Sequence, residues 1–359
     1  MSDLLYSQTE DDLRAAIRSL LADRADTATV LGRIETPNPY PPGLWEALAG
    51  GIGAAGLLVP EKLGGQGASH REAAVVLEEL GRAVTPAPYL TSAVVATGTL
   101  LALGAETGPV ADLLGALARG ERVAVLAVPF STAPDGVPAG SEAPVPAVAD
   151  AVAADVLLVP RADGLYAVEA ADAVVTPRSP LDLTRPLASV DASGARGTRL
   201  ADAAAAREAV RRGLLTGAGL LASEQLGLAE WCLEETVRHT RDRHQFNRPV
   251  GSFQALKHRM AQLWLELVGA RAAARAAADA LATGAEDAEL TVAVAQAYCS
   301  KAAVRAAEEC VQLHGGIGMT WEHPAHLALK RAKSDAIALG SSGRHQDAIA
   351  ALVDLPAPA

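Results

Sequence analysis

The chain is short of cysteine, of positive charge and of uninterrupted apolar sequence. Its three cysteines, Cys232, Cys299 and Cys310, are odd in number and lack CxxC spacing, and its N-terminus, "MSDLLYSQTEDDLRAAI", is acidic and unlike a signal peptide. Together these point to a reduced, cytoplasmic protein. Lys and Arg number 31 against 42 Asp and Glu, a net charge of -11. No basic tract is dense enough to neutralise a phosphate backbone, which excludes nucleic acid as a partner. The longest uncharged stretch, residues 83 to 105, contains Pro86 and Pro88. It falls short of the roughly 20 apolar residues that span a bilayer, so no membrane segment is expected. At 359 residues the chain exceeds one ordinary core and suggests two or three domains of about 150 residues each.

Periodicity divides what is present into three regions. Residues 1–118 carry helical signals broken by Pro and Gly, including "SHREAAVVLEELGRAV", where Ser69 and Glu72 have the spacing of a capping box. Residues 119–203 change to short Val- and Ala-rich runs between turn residues, and "ADG" at 162 to 164 suits a hairpin turn, which predicts a small β domain. From 204 to 359 the helical period returns. Leu256, Met260, Leu263, Leu267, Ala270, Ala274, Ala277 and Leu281 alternate at spacings of four and three, the seam of a bundle helix. A second stripe, Ala295, Cys299, Ala302, Ala306, Cys310 and Leu313, places two cysteines on a packed face as small core residues.

Several motifs invite a chemistry they do not support. "GIGAAG" at 51 to 56 satisfies GxGxxG, but it follows a helical segment where a dinucleotide loop needs a strand, so it predicts a turn between helices. His323 and His326 in "EHPAH", and Cys310 with His314, do not reach the three or four ligands that a metal requires. No spacing suggests a nucleophile–base relay. Glu224, Glu230, Glu234 and Glu235 lie near the bundle and predict a solvated helix face. Asp182 and Arg185 in "LDLTRPLASVD" predict a turn held by an Asp cap.

One turn is chemically crowded. "RDRHQFNRPVGSFQALKHRM" (241 to 260) gathers Arg243, two glutamines and two phenylalanines around Pro-Val-Gly. Taken with "GLLVPEKLGGQGAS" and "QLHGGIGMTWEHPAHLALKRAK", and with the order helical, small β, helical, it resembles the acyl-CoA dehydrogenase family of flavoproteins over essentially the whole chain. The resemblance implies a mainly α fold with a small β domain: a helical N-terminal domain, a β-barrel middle and a C-terminal four-helix bundle that mediates oligomerisation. It also implies FAD as cofactor, acyl-CoA as substrate and electron-transferring flavoprotein as acceptor. In the family, the phrase matching residues 241 to 260 and the phrase matching "QLHGGIGMTWEHPAHLALKRAK" grip the ADP half of an FAD seated mainly in a neighbouring subunit. That role falls here on Arg243, Gln245, Phe246, Gln254, Gln312, Gly315, Gly316 and Gly318. A planar guanidinium can hold two pyrophosphate oxygens at once, glutamines offer donors and acceptors, Phe246 an apolar wall, and glycines a close backbone approach. The alternative for these residues is a helix–helix corner, with Arg243 capping a helix end and the glycines turning the chain.

The pattern breaks where the chemistry should be. The family's α-proton base is a glutamate at one of two places, which correspond here to Leu339 and Gly217; the substrate-side arginine position corresponds to Ala218. The flavin-ring phrase of the β domain is replaced by "AVPFSTAPDG" at 127 to 136. The resemblance therefore implies a short subunit lacking the catalytic glutamate, paired with a catalytic dehydrogenase subunit, as in a heterotetramer. The alternatives are a self-sufficient homo-oligomer with an unrecognised base and a flavin-free scaffold or regulatory binding protein.

Overall fold

The computed structural model describes residues 4–137 and 143–355. The first region is helical: α1 (Gln8–Arg24), α2 (Thr27–Arg33), α3 (His70–Ala83), α4 (Thr97–Leu101) and α5 (Pro109–Ala118). Sequence chemistry sets their starts. Ser69 accepts from the Arg71 amide while Glu72 returns a bond to the Ser69 amide, the predicted capping box, and Pro109 opens α5 where its missing N–H has no consequence. Residues Tyr89–Ala96 are wound as a π-helix that leads directly into α4 and are buried throughout. The "GIGAAG" segment is a turn: Gly53 is left-handed at φ 78°, Ala54–Gly56 is a single 3₁₀ turn, and the preceding element is the π turn Glu46–Gly51.

Among the described residues the middle region holds seven strands, β1 (Ala124–Leu126), β2 (Val145–Ala149), β3 (Val156–Arg161), β4 (Gly164–Glu169), β5 (Val174–Arg178), β6 (Leu187–Asp191) and β7 (Thr198–Asp202). They form two sheets, ordered β1-β3-β4-β7 and β2-β6-β5, with β1 and β3 parallel and the other pairings antiparallel. Arg161 pairs with Gly164 across the two-residue "AD" turn, as predicted. Val125, Leu157, Val168, Val148 and Val190, drawn from both sheets, make a separate small core.

The rest is a helical bundle. It comprises α6 (Ala203–Asp242), a hairpin of β8 (His244–Gln245) and β9 (Arg248–Pro249), then α7 (Gln254–Thr283), α8 (Ala288–His314), α9 (Ala325–Asp335) and α10 (Ser342–Leu352). The predicted stripes face inward: Leu263, Leu267, Ala270, Ala274 and Ala277 are buried on α7, and Ala295, Cys299, Ala302, Ala306 and Cys310 on α8. Burial pushes the Cys299 thiol up to about 12, which suits a core residue and not a nucleophile. Two glycines join the first region to the bundle. A Cβ on Gly81 of α3 would lie 2.1 Å from the Glu224 carbonyl oxygen, and a Cβ on Gly227 of α6 would lie 1.8 Å from that of Glu78. The helices cross backbone on backbone, which no other residue permits. Glu78 and Glu79, buried beside this crossing, are held by Arg14 and Arg18 of α1.

Candidate functional site

The residues of the crowded turn and of the Gly-Gly loop meet at one end of the bundle. His239, near the end of α6, stacks on His314 at the end of α8 with ring centroids 4.2 Å apart, and Arg259 of α7 pairs with Glu309 of α8 at 2.7 Å. This brings Arg243, the hairpin, Gln254, Gln312 and Gly315 onto neighbouring termini. Arg243 ends α6: its amide donates to the His239 carbonyl and its carbonyl accepts from Val250, while its exposed guanidinium has no hydrogen-bond or ion-pair partner among the described residues. Phe246 and Asn247 form the hairpin tip with φ of 51° and 60°. A bulky residue seldom takes that left-handed conformation. Phe246 is nevertheless held there, 85% exposed, edge-on to Phe253, whose ring also carries the Arg248 guanidinium at 3.9 Å. Gln245, Gln254 and Gln312 are exposed. Gly315, at φ 64°, and Gly316 face open space, whereas Gly318 is buried, and a Cβ there would meet the Val311 carbonyl oxygen at 2.7 Å. Its missing side chain serves internal packing.

The two positions assigned to the family's base, distant in sequence, are neighbours in space. A Cβ on Gly217 would lie 3.0 Å from Leu339 Cδ1 and 2.5 Å from Val95 Cγ2. Leu339 is 2% exposed and Ala218 fully buried. The Leu339 amide donates to the Phe130 carbonyl at 2.8 Å, its carbonyl accepts from His345 Nε2 at 3.0 Å, and Arg344 pairs with Asp135 at 2.6 Å. The "AVPFSTAPDG" stretch is thus closed against the loop before α10 and the start of that helix.

Beside this closed seam lies an ion network that corrects two expectations. Glu224 does not face solvent. It is 1% exposed, accepts from Arg331 Nη1 at 2.5 Å and pairs with Arg185 Nη2. Asp182 does cap its turn, accepting from the Thr184 amide at 2.9 Å, but its second oxygen takes Arg331 Nε, and Arg331 Nη2 also donates to the Thr184 carbonyl and hydroxyl. Arg185 Nη1 reaches Asp335 at 3.2 Å, and its guanidinium lies 5.2 Å from the Phe130 ring centroid. Against the upward push of burial, the two arginines hold Glu224 and Asp182 below the usual carboxylate range. Burial, reinforced by the Glu224 charge, pushes Asp335 up to about 8. The folded state therefore keeps a proton on Asp335 that the unfolded chain has given up above about pH 4. The Asp335 contribution to stability then falls as pH rises from about 4 to about 8. Asp335→Asn should remove this component, gaining on the parent chain toward pH 8; chemical denaturation across that range checks it, and parallel pH curves would show that Asp335 is ionised.

The histidines form a second unforeseen group: Glu235, expected to be solvated, is half-buried and faces His314 and His323. Two signals were present in the sequence. Glu224 is a lone carboxylate inside the otherwise uncharged "GLLTGAGLLASEQLGLA", and Arg331 and Asp335 lie at i, i+4 spacing. The meeting of Glu235 with histidines some 80 residues away depends on the bundle and had no local signal.

Comparison with known proteins places this architecture. Residues 7–121 match the acyl-CoA dehydrogenase N-terminal domain and residues 199–353 the acyl-CoA dehydrogenase C-terminal domain. The chain is 37% identical over 335 residues to the acyl-CoA dehydrogenase IpdE2 of Mycolicibacterium smegmatis, spanning 93% of this chain and 95% of the relative. Among solved structures it is similar to the ChsE4–ChsE5 complex from Mycobacterium tuberculosis, at TM-score 0.83 and 25% identity over 99% of this chain and 100% of that one. It is also similar to a variant of the Tcur3481–Tcur3483 steroid ACAD, at TM-score 0.85 and 25% identity over 97% and 98%. No helix among the described residues is long and apolar enough to cross a membrane. With both domain models matched and a relative aligned over nearly its full length, the chain belongs to the acyl-CoA dehydrogenase family of oxidoreductases.

Proposed function

We propose that this chain is the partner subunit of a heteromeric, FAD-dependent acyl-CoA dehydrogenase, completing the ADP half of an FAD site whose ring contacts and glutamate belong to a second chain. The observation that carries this reading is the contact between Gly217 and Leu339: both places for the family's base fall in one buried, apolar spot with no carboxylate. The residues present fit one half of the cofactor. The unpartnered Arg243 guanidinium, the exposed glutamines, the projecting Phe246 and the open Gly315–Gly316 backbone suit a diphosphate, ribose and adenine presented from outside. They supply no ring contacts: the flavin-ring phrase is replaced by "AVPFSTAPDG", whose Phe130 carbonyl is taken by the Leu339 amide. When bound, FAD would accept the hydride of an acyl-CoA α,β-dehydrogenation, and this chain would bind and orient the ADP end. Two solved relatives at 25% identity support the subunit assignment, one described as a complex of two chains and the other as a steroid enzyme with a double name. A bulky, steroid-like acyl group is accordingly the substrate class to try first, and electron-transferring flavoprotein the acceptor.

The test is flavin per chain. The chain purified alone should retain little FAD, and co-expression with an acyl-CoA dehydrogenase chain carrying the glutamate should yield a yellow complex with turnover. In that complex Arg243→Lys should weaken FAD retention by about 10- to 100-fold, because a point-charge ammonium cannot reproduce a bidentate grip. A chain that alone holds one FAD and turns over acyl-CoA would replace this reading with the self-sufficient enzyme. A colourless complex, inactive with every co-expressed chain, would replace it with the scaffold.

A further inference from the structure

Glu235 on α6, His314 at the end of α8 and His323 in the loop before α9 bring one ligand atom each to within 4.8 Å of one another. His314 Nε2 and His323 Nε2 lie 3.7 and 3.6 Å from Glu235 Oε1. These separations are too long for hydrogen bonds. They are close to what a metal needs, since bonds of about 2.0–2.1 Å around a tetrahedral ion set its donors about 3.3 Å apart. The two Glu235 edges would contract by a few tenths of an ångström, and the third, between the histidines and within 4.8 Å, by up to about 1.5 Å.

The state of His314 is the second observation. Its side chain is fully buried, and its Nδ1 lies 2.7 Å from the Cys310 carbonyl oxygen. A carbonyl only accepts, so Nδ1 carries a proton, and a metal would take the Nε2 lone pair in place of a second proton. Nε2 has no hydrogen-bond partner among the described residues and faces a carboxylate. The Glu235 carboxylate also takes the Arg238 guanidinium, Nε on Oε2 at 2.9 Å and Nη2 on Oε1, so an ion bound between Glu235 and His314 would share or displace that contact. An imidazole held at Nδ1–H by a backbone carbonyl, with Nε2 free, is the usual posture of a metal-ligating histidine.

We propose that Glu235, His314 and His323 form a binding site for a divalent transition-metal ion of the zinc class. Two imidazoles and a carboxylate suit zinc and its first-row neighbours better than magnesium or calcium, which favour all-oxygen sites. His323 must present Nε2 without a proton. In the structure its Nδ1 accepts from the Ala325 amide at 3.2 Å, so ligation through Nε2 moves the proton to Nδ1 and gives up that bond. His239, stacked on His314, is a further nitrogen donor beside the cluster. The ion would tie α6 just ahead of Arg243 to α8 at the step before Gly315, and would do so whether or not this end of the bundle meets a cofactor.

The experiment titrates the full-length chain, first dialysed against a chelator, with cobalt(II). Expected are one ion per chain, visible d–d absorption, displacement by zinc and a rise in melting temperature with zinc. Because removing His314 would open a hole in the interior, the site is probed at half-buried positions. His323→Ala and Glu235→Gln should each lower cobalt affinity by more than the roughly 10- to 100-fold typical of losing an outer-shell partner, and should lose the zinc-dependent melting shift. No saturable uptake by the parent chain overturns the proposal and leaves a protonated His314 opposite Glu235. Equal uptake by parent and both variants places any metal elsewhere and overturns it as well.

Discussion

Arg331→Ala should cost about 3–5 kcal/mol of folding stability, the usual consequence of removing one partner from a buried ion pair. With burial pushing the Asp335 carboxyl up, the network chiefly sets Arg185 and Arg331 against Asp182 and Glu224, all four side chains buried. Removing Arg331 leaves two carboxylates facing one guanidinium and strips the Thr184 carbonyl and hydroxyl of their donor. Arg331→Lys restores the charge but cannot serve Asp182, Glu224 and Thr184 together, so it should fall between the two. Urea denaturation at pH 7 measures all three. A loss below about 1 kcal/mol for the alanine variant would mean that the network is hydrated, since only exposed pairs are worth so little.

Leu339→Glu should destabilise the chain without giving it a reaction. The new carboxylate would enter a buried place bordered by Val95 and Gly217, where an unpaired polar group costs about 2–4 kcal/mol. Burial disfavours its charged form, so the folded state holds a proton that the unfolded chain releases. The penalty should therefore grow as pH rises above the ordinary carboxylate range. No turnover should follow. A base contributes about 100- to 10,000-fold only when substrate and acceptor are already positioned, and the orientation that supplies roughly 7–11 kcal/mol of such catalysis is missing where Phe130 and Leu339 bond to each other. Acyl-CoA-dependent reduction of an artificial acceptor, with FAD added, is the assay. Turnover above the parent chain would show an intact ring site within this subunit and end the partner-subunit reading.

The elements that could be read from the sequence are those whose cause is local. The Ser69–Glu72 box, the two-residue turn before Gly164 and the alternating stripes of α7 and α8 follow from spacing alone, because capping, tight turns and helical period involve residues a few positions apart. The crowded turn at Arg243 was also visible, since its chemistry lies within one hairpin and two helix ends. Glu224 and Glu235 were misread for a single reason. Composition makes a glutamate on a long helix look solvated, and only the crossing elements reveal that Arg185 and Arg331 reach one while His314 and His323 surround the other. The adjacency of Gly217 and Leu339 was equally hidden: the resemblance offered them as two separate places, and the fold makes them one.

The paired glycines where α3 meets α6 bear on how such chains can be recombined. Gly81 admits the Glu224 carbonyl and Gly227 admits the Glu78 carbonyl, so each region supplies both a gap and the backbone that fills the other's gap. Glu224 itself carries the side chain that anchors Arg185 and Arg331. The depth of that crossing therefore also sets where the charge network sits. A chimera that takes residues 1–118 from one relative and the bundle from another inherits half of this interlock from each parent. A single methyl group at either glycine would lever the helices apart and drag the arginine cluster with them, so the two positions are exchanged as a set or not at all.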